Sequence, residues 1–168
     1  GADGLVVDPT GNHGVITISE AIAMAIEGDT IHIQPGTYIE SIELKQDVLL
    51  IGEGNNDEVL ISSDKGDTIT VLGGHIKLQN LSLDCKGPTL VDNEKGASSS
   101  NTVMVSSGSI DLCDCNITSK ACSAIVVRKV GEAVVQSCSI HDSSEKGIYF
   151  EGGSGTVVDC DIFANKHH

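Results

Sequence analysis

Apolar residues recur along this chain in two short signatures that advance together. One is a pair of apolar residues separated by a single position: Ile69 and Val71, Val103 and Val105, Ile125 and Val127, Ile148 and Phe150. The other is an aliphatic-x-x-Cys-x-Ile motif at Leu112–Cys115–Ile117, Val135–Cys138–Ile140 and Val157–Cys160–Ile162, with an all-aliphatic version at Leu78–Leu81–Leu83. The cysteines step by 23 and then 22 residues, and Ile125 to Ile148 is again 23. A fixed period of this length is the mark of a solenoid.

Local patterning decides which solenoid. Apolar residues alternating with polar ones over so few positions fit half-buried strands and are too brief for helices. Leu78 and Leu81 break the alternation by one residue, which marks a corner. Each repeat therefore reads as three short strands, such as Ile69–Val71, Ile76–Leu78 and Leu81–Leu83. At roughly 3.3 Å per strand residue, such a coil closes one turn and stacks the next in parallel register. The predicted fold class is all-β: a right-handed parallel β-helix, a single-stranded solenoid of about seven rungs whose shared core no single coil could hold alone.

Residues 1–16 read as an irregular N-terminal segment. Thr17-Ile18-Ser19-Glu20 then fits a capping box, predicting a short capping helix over 17–28. Ile18, Ala21, Ile22, Ala25 and Ile26 form its apolar face and Gly28 is its left-handed stop. Such a helix covers the open end of the solenoid, which is expected to run over 29–168. The period fails once. Leu81 to Cys115 is 34 residues, and the excess falls between the last strand of one coil and the first of the next, so residues from about 84 to 101 are expected to be an extruded loop. The start at Gly1 without Met reads as an excised fragment of a larger protein, and the closing His167-His168 as part of a tag.

Charge narrows the partners. Twenty-four acidic residues against ten basic ones give a net charge of −14, which repels a phosphate backbone and excludes nucleic acid; a protein partner is expected to be basic. No apolar run approaches the roughly 20 residues of a membrane span. Cys115, Cys138 and Cys160 hold the same inward position of successive coils, where a free thiol packs as a small hydrophobe. Buried reduced cysteines point to an intracellular, cytoplasmic setting. Cys113-Asp114-Cys115 lacks the paired Cys or His spacing of a zinc site, so no metal or cofactor is expected.

The stretch from Thr17 to Gly54, with GDTIHIQPGTYIESIEL and then VLLIGEG, resembles the opening of pectinesterases and other pectin-lyase-like β-helices. Lys146-Gly147-Ile148-Tyr149-Phe150 through Asp161-Ile162-Phe163-Ala164-Asn165 is similar to the repeat of β-helix domains in F-box proteins. PGTY, the LIGEG turn, DEVLI and DKGD resemble the β-helix of the SHC-binding, spindle-associated cytokinesis family. These motifs consist of core aliphatics and turn glycines, so they specify a scaffold and leave its chemistry open. The chain has no counterpart to the pectinesterases' later QD, DFIFG or GRPW-type motifs, nor to the Asp cluster and GHG of polygalacturonases or the calcium-binding carboxylates of pectate lyases.

Candidate functional residues follow from position. Asp114, Asp159 and Asp161, with Asp111 nearby, form the best carboxylate group; Asp114 and Asp159 are equivalent corner positions with Ser137 on the coil between them. His141-Asp142 reads as a surface turn, since adjacent strand residues point to opposite faces. His32 and His75 sit between inward aliphatics and should face solvent. Arg128 and Lys129 follow the inward Val127 and interrupt an acidic surface, where they could hold a carboxylate. The resulting expectation is a non-catalytic protein-interaction module of an adaptor or scaffold, with substrate recruitment or cytokinesis assembly implied by the resemblances. Arg128, Lys129, Asp114, Asp159 and Asp161 would be its contact residues. The alternative is a glycan-binding or carbohydrate-active β-helix of the pectin-lyase-like type, against which the paucity of exposed aromatic rings counts.

Overall fold

The structure is a computed structural model describing residues 4–87 and 100–167. It contains sixteen strands and one short helix among those residues. All the strands pair in parallel and wind into a right-handed parallel β-helix of three strand rows.

Each row is a ladder of like residues. The first stacks Ile42, Ile69, Val103, Ile125 and Ile148. The second runs the length of the molecule through Leu5, Ile31, Leu50, Leu78, Leu112, Val135 and Val157. The third stacks Tyr38, Ile61, Leu83, Ile117, Ile140 and Ile162. Because side chains alternate across a strand, one residue in two feeds the common core and its neighbours form three outer faces. Burying each aliphatic of the ladder contributes roughly 1.5–3 kcal/mol. The terminal rung shows the dependence on stacking: Val157 and Ile162 are 38% and 49% exposed, whereas Val135 and Ile140 one rung earlier are fully buried.

Corners have a repeated conformation. Leu81, Cys115, Cys138 and Cys160 open the third row, and the residue before each, Asn80, Asp114, Ser137 and Asp159, is left-handed with φ of 61°, 53°, 54° and 52°. That region costs an L-residue roughly 1–2 kcal/mol, with Asn and Asp tolerating it best through their short polar side chains. The first and second rows fuse in two central coils into the long strands Val103–Cys113 and Ile125–Gln136. Between Val105 and Ser107 the register shifts, so that Arg128 and Lys129 together stand opposite Ser106. This is a β-bulge, and it accounts for the extra residue in the 23-residue step from Ile125 to Ile148.

Several boundaries differ from the sequence expectation. Leu5–Val7, within the segment read as irregular, is the first strand of the second row, paired with Ile31–Ile33. The helix spans Ile18–Met24, with Thr17 Oγ1 accepting from Glu20 N at 3.1 Å. Its other free N–H groups are met from the solenoid: Glu40 accepts from the backbone of Ile18 and Ser19, each at 2.9 Å. The helix stops at Ala25, whose backbone is already extended, because the chain must drop to the first full coil; Gln46 Nε2 caps the Ala25 carbonyl at 2.9 Å. Ile18 and Ala21 are buried, while Ile26, beyond the helix, is exposed. The interruption expected at 84–101 falls, for residues 88–99, outside the described residues; Asp84 and Cys85 close the strand Ser82–Cys85. Among the described residues no helix is long and apolar enough to cross a membrane.

All six cysteines are free. Contact with the Cys138 sulfur and then burial hold the Cys115 thiol well above its ordinary range, so it is a packing atom and a poor nucleophile. Iodoacetamide is expected to modify outward Cys113 and half-buried Cys122 and Cys160 in the native protein, and to reach Cys115 and Cys138 only on unfolding. Native labelling of Cys115 at the rate of Cys113, read by peptide mass, would contradict the inward register of the corner.

Candidate functional site

The second strand row carries the chemistry on its outer face. Along His75–Gln79 the burial alternates, with His75, Lys77 and Gln79 outside and Ile76 and Leu78 in the core. The same alternation puts Ser109, Asp111 and Cys113 outside on the next strand, and Glu132, Val134 and Gln136 on the one after. Register then sets the columns. His75 faces Ser109 and Glu132; Lys77 faces Asp111 and Val134; Gln79 faces Cys113 and Gln136.

A parallel ladder brings a residue close to its partner and to the diagonal neighbour two positions on. His75 uses both. Its Nδ1 lies 2.5 Å from Ser109 Oγ, and its Nε2 lies 3.2 Å from Asp111 Oδ2. The imidazole is thus held between a hydroxyl and a carboxylate, with its backbone N–H tied to Asp47 Oδ1 at 2.8 Å. The three groups remain open to solvent, His75 and Asp111 at 45% and 36%.

Two shallow depressions flank them. One, of about 340 Å³, is lined by Thr30, Asp47, Leu49, His75 and Lys77. The other, of about 160 Å³, is lined by Lys77, Gln79, Asp111, Cys113 and Gln136. Lys77 borders both. It stands opposite Asp111 in the ladder, while the side chain within ion-pair distance of Asp111 is His75. Farther along, His32 Nδ1 contacts Glu53 Oε1 at 2.6 Å. Among the described residues no group of three or more His, Cys, Asp and Glu side chains has metal-holding geometry.

The residues singled out from the sequence lie elsewhere. Asp114 and Asp159 are left-handed corner residues two rungs apart, and Asp161 begins the last third-row strand, opposite Ser139. Arg128 and Lys129 occupy the bulge at the other end of the second row. Arg128 lies eight residues before Gln136, at the bulge, and lines a depression that shares no residue with the two beside His75. Arg128 Nε is 3.8 Å from Glu151, and with Lys146 and Tyr149 it lines a depression of about 240 Å³. The Lys146 ammonium sits 3.8 Å above the Tyr149 ring. His141 and Asp142, expected on opposite faces, touch at 2.6 Å, because Asp142 is left-handed at φ 53° and the alternation ends there. His141 also meets Asn116 Oδ1 and stacks on Phe163 at 4.9 Å, a corner bracket.

The Ser109–His75–Asp111 contact was missed, though a signal for it exists. The step of 34 residues that separates Leu81 from Cys115 also carries His75 onto Ser109 and Lys77 onto Asp111. Extending the ladder offset to the polar positions between the aliphatics would have aligned them.

No family model matches the chain, and no curated protein matches it in sequence. Solved structures do match. Pectin methylesterase PemA from Erwinia chrysanthemi superposes with a TM-score of 0.71 at 18% identity, over 95% of this chain and 55% of its own. Pectin methylesterase from carrot gives 0.70 at 18%, over 95% and 52%, and the Aspergillus niger enzyme 0.69 at 17%, over 96% and 57%. At this identity the likeness shows the fold, and the chain spans a little over half the length of these neighbours. It also corrects the functional expectation. A non-catalytic adaptor module was expected, yet the fold recurs through nearly the whole chain in carbohydrate-active enzymes. The resemblance to F-box and SHC-binding β-helices finds no support in these comparisons, and the adaptor role and non-enzymatic character drawn with it are set aside. The aliphatic motifs on which that expectation rested build the core ladders of this chain, so they carried no information about activity.

Proposed function

We propose that this chain is a carbohydrate-active β-helix that receives a polysaccharide across the outer face of its second strand row and acts on ester groups of that polymer. The observation that carries the reading is the polar strip between the two depressions. Lys77, Gln79, Asp111 and Gln136 project from three successive rungs, on a fold whose neighbours are pectin methylesterases. Rungs about 4.8 Å apart present a periodic polymer with donors and acceptors at a regular spacing. Amides suit sugar hydroxyls because each both donates and accepts.

Charge sets which form of the polymer is preferred. A surface of net charge −14 repels a polyuronide whose carboxylates are free and is indifferent to one whose carboxyls are esterified. The expected result is methanol release from methyl-esterified pectin, with binding to the esterified polymer at least tenfold tighter than to polygalacturonate at low salt. The gap should narrow as salt shortens the screening length below roughly 10 Å. Calorimetry with both polymers at two ionic strengths, and an alcohol-oxidase assay for methanol, read these outcomes. Absence of binding to either polymer together with absence of methanol would overturn the reading.

A further inference from the structure

We infer that Ser109, His75 and Asp111 form a nucleophilic ester-hydrolysis site on the outer face of the solenoid, acting on carboxylic esters carried by a polysaccharide. The inference rests on the proposed polysaccharide face and names the reacting group within it. Three features point to it. Ser109 Oγ is in hydrogen-bond contact with His75 Nδ1, the arrangement in which an imidazole takes a hydroxyl proton. The other ring nitrogen, 3.2 Å from Asp111 Oδ2, faces a carboxylate that would hold the ring and stabilise its protonated form. The three come from adjacent rungs of a rigid ladder, so their mutual placement is set by register and not by a loop.

The step balances without any further reagent. Ser109 Oγ attacks the ester carbonyl carbon and its proton passes to His75 Nδ1. The resulting tetrahedral intermediate collapses with cleavage of the bond to the leaving alcohol oxygen, which takes the proton from His75. Water then attacks the acyl-serine, gives a proton to His75, and the acyl–Oγ bond breaks. Ser109 regains its proton and the carboxylic acid departs. The net reaction is ester plus water to acid plus alcohol.

The ladder also limits where the intermediate's negative charge can be met. Ser109 N donates to Gly74 O at 2.9 Å, within the rung-to-rung bonding that ties up strand N–H groups. Lys77, which borders both depressions and stands opposite Asp111 on the same outer face, is the cation we assign to the oxyanion. A site this open, with an ammonium in place of backbone donors, should give a modest acceleration, on the order of 10²–10⁴ over water.

The test uses the purified chain with a fluorophosphonate probe, p-nitrophenyl acetate, methyl-esterified pectin and an acetylated polysaccharide. A single phosphonyl adduct on Ser109, seen by intact mass and peptide mapping and lost in Ser109→Ala and His75→Gln, is the expected outcome. Hydrolysis should fall at least 100-fold in those variants, at least tenfold in Asp111→Asn and in Lys77→Met, with melting curves close to wild type because all four side chains lie outside the core. Methanol release would assign the acyl group to the polymer itself, and acetate release to a substituent on its hydroxyls; either supports the site. An unlabelled Ser109, or hydrolysis unchanged in Ser109→Ala, overturns it. If the wild type binds esterified polymer while Ser109 stays unlabelled, the triad falls and the polysaccharide face stands. If Ser109 is labelled and no polymer binds, the triad stands and the face falls.

Discussion

Val127→Asp is expected to abolish folding, and Ile125→Ala to lower stability by about 2–5 kcal/mol. Both residues are fully buried and stacked in the first-row ladders, Val127 between Val105 and Phe150, Ile125 between Val103 and Ile148. The alanine leaves a cavity that neighbouring rungs cannot close, because their spacing is set by backbone hydrogen bonds. The aspartate would be fully buried between Val105 and Phe150, and an unpaired charge there costs more than the margin of roughly 5–15 kcal/mol that keeps a domain folded. In thermal melts followed by circular dichroism, the alanine variant should drop by roughly 4–20 °C, taking 2–4 °C per kcal/mol for a chain of this size. The aspartate variant should show no cooperative transition. Melts near wild type for both would mean that the first-row register is wrong.

The ladders were legible because a solenoid writes its core repeatedly. Ile69, Val103, Ile125 and Ile148 could be aligned by eye, and the structure extends the same column back to Ile42. The early rungs were harder. Leu5 and Ile31 belong to the second-row ladder with Leu78, but the helix inserted between them and the shorter step from Ile31 to Leu50 hide the period. The end of the helix was misplaced for a local reason. Gly28 is left-handed at φ 89°, yet it serves the turn into the strand at Asp29, where its N–H donates to Asp47 O, and does not terminate the helix.

The site was nearly illegible because its residues are not apolar. Periodicity was sought in the aliphatics, while His75, Ser109 and Asp111 occupy the outward positions that a solenoid leaves free to vary. Sequence reasoning instead favoured residues that break the pattern. Asp114 and Asp159 break it because the corner demands a left-handed residue, and Arg128 with Lys129 because a bulge adds one. Each irregularity has a backbone cause.

Gly108→Val is expected to destabilise the protein and to dismantle the Ser109–His75 contact together. Gly108 has φ 76°, and a Cβ built on it would lie 2.6 Å from Gly74 O and 2.8 Å from Gly73 C, backbone atoms of the rung beneath. A β-branched residue there pays for the left-handed conformation and for overpacking, together roughly 2–6 kcal/mol. The carbonyl it meets is the one that accepts from Ser109 N, so relief of the clash must shift Ser109 relative to His75. Gly28→Ala separates the two contributions, since Gly28 is left-handed as well but has nothing within 4 Å of its Cβ position; it should cost only about 1–2 kcal/mol. Chemical denaturation of both variants measures the difference, and phosphonate labelling under native conditions reads the serine. Equal losses for the two variants would show that the rungs separate to admit a side chain at Gly108. Full labelling of Ser109 in Gly108→Val would show that the hydroxyl is positioned independently of the ladder beneath it.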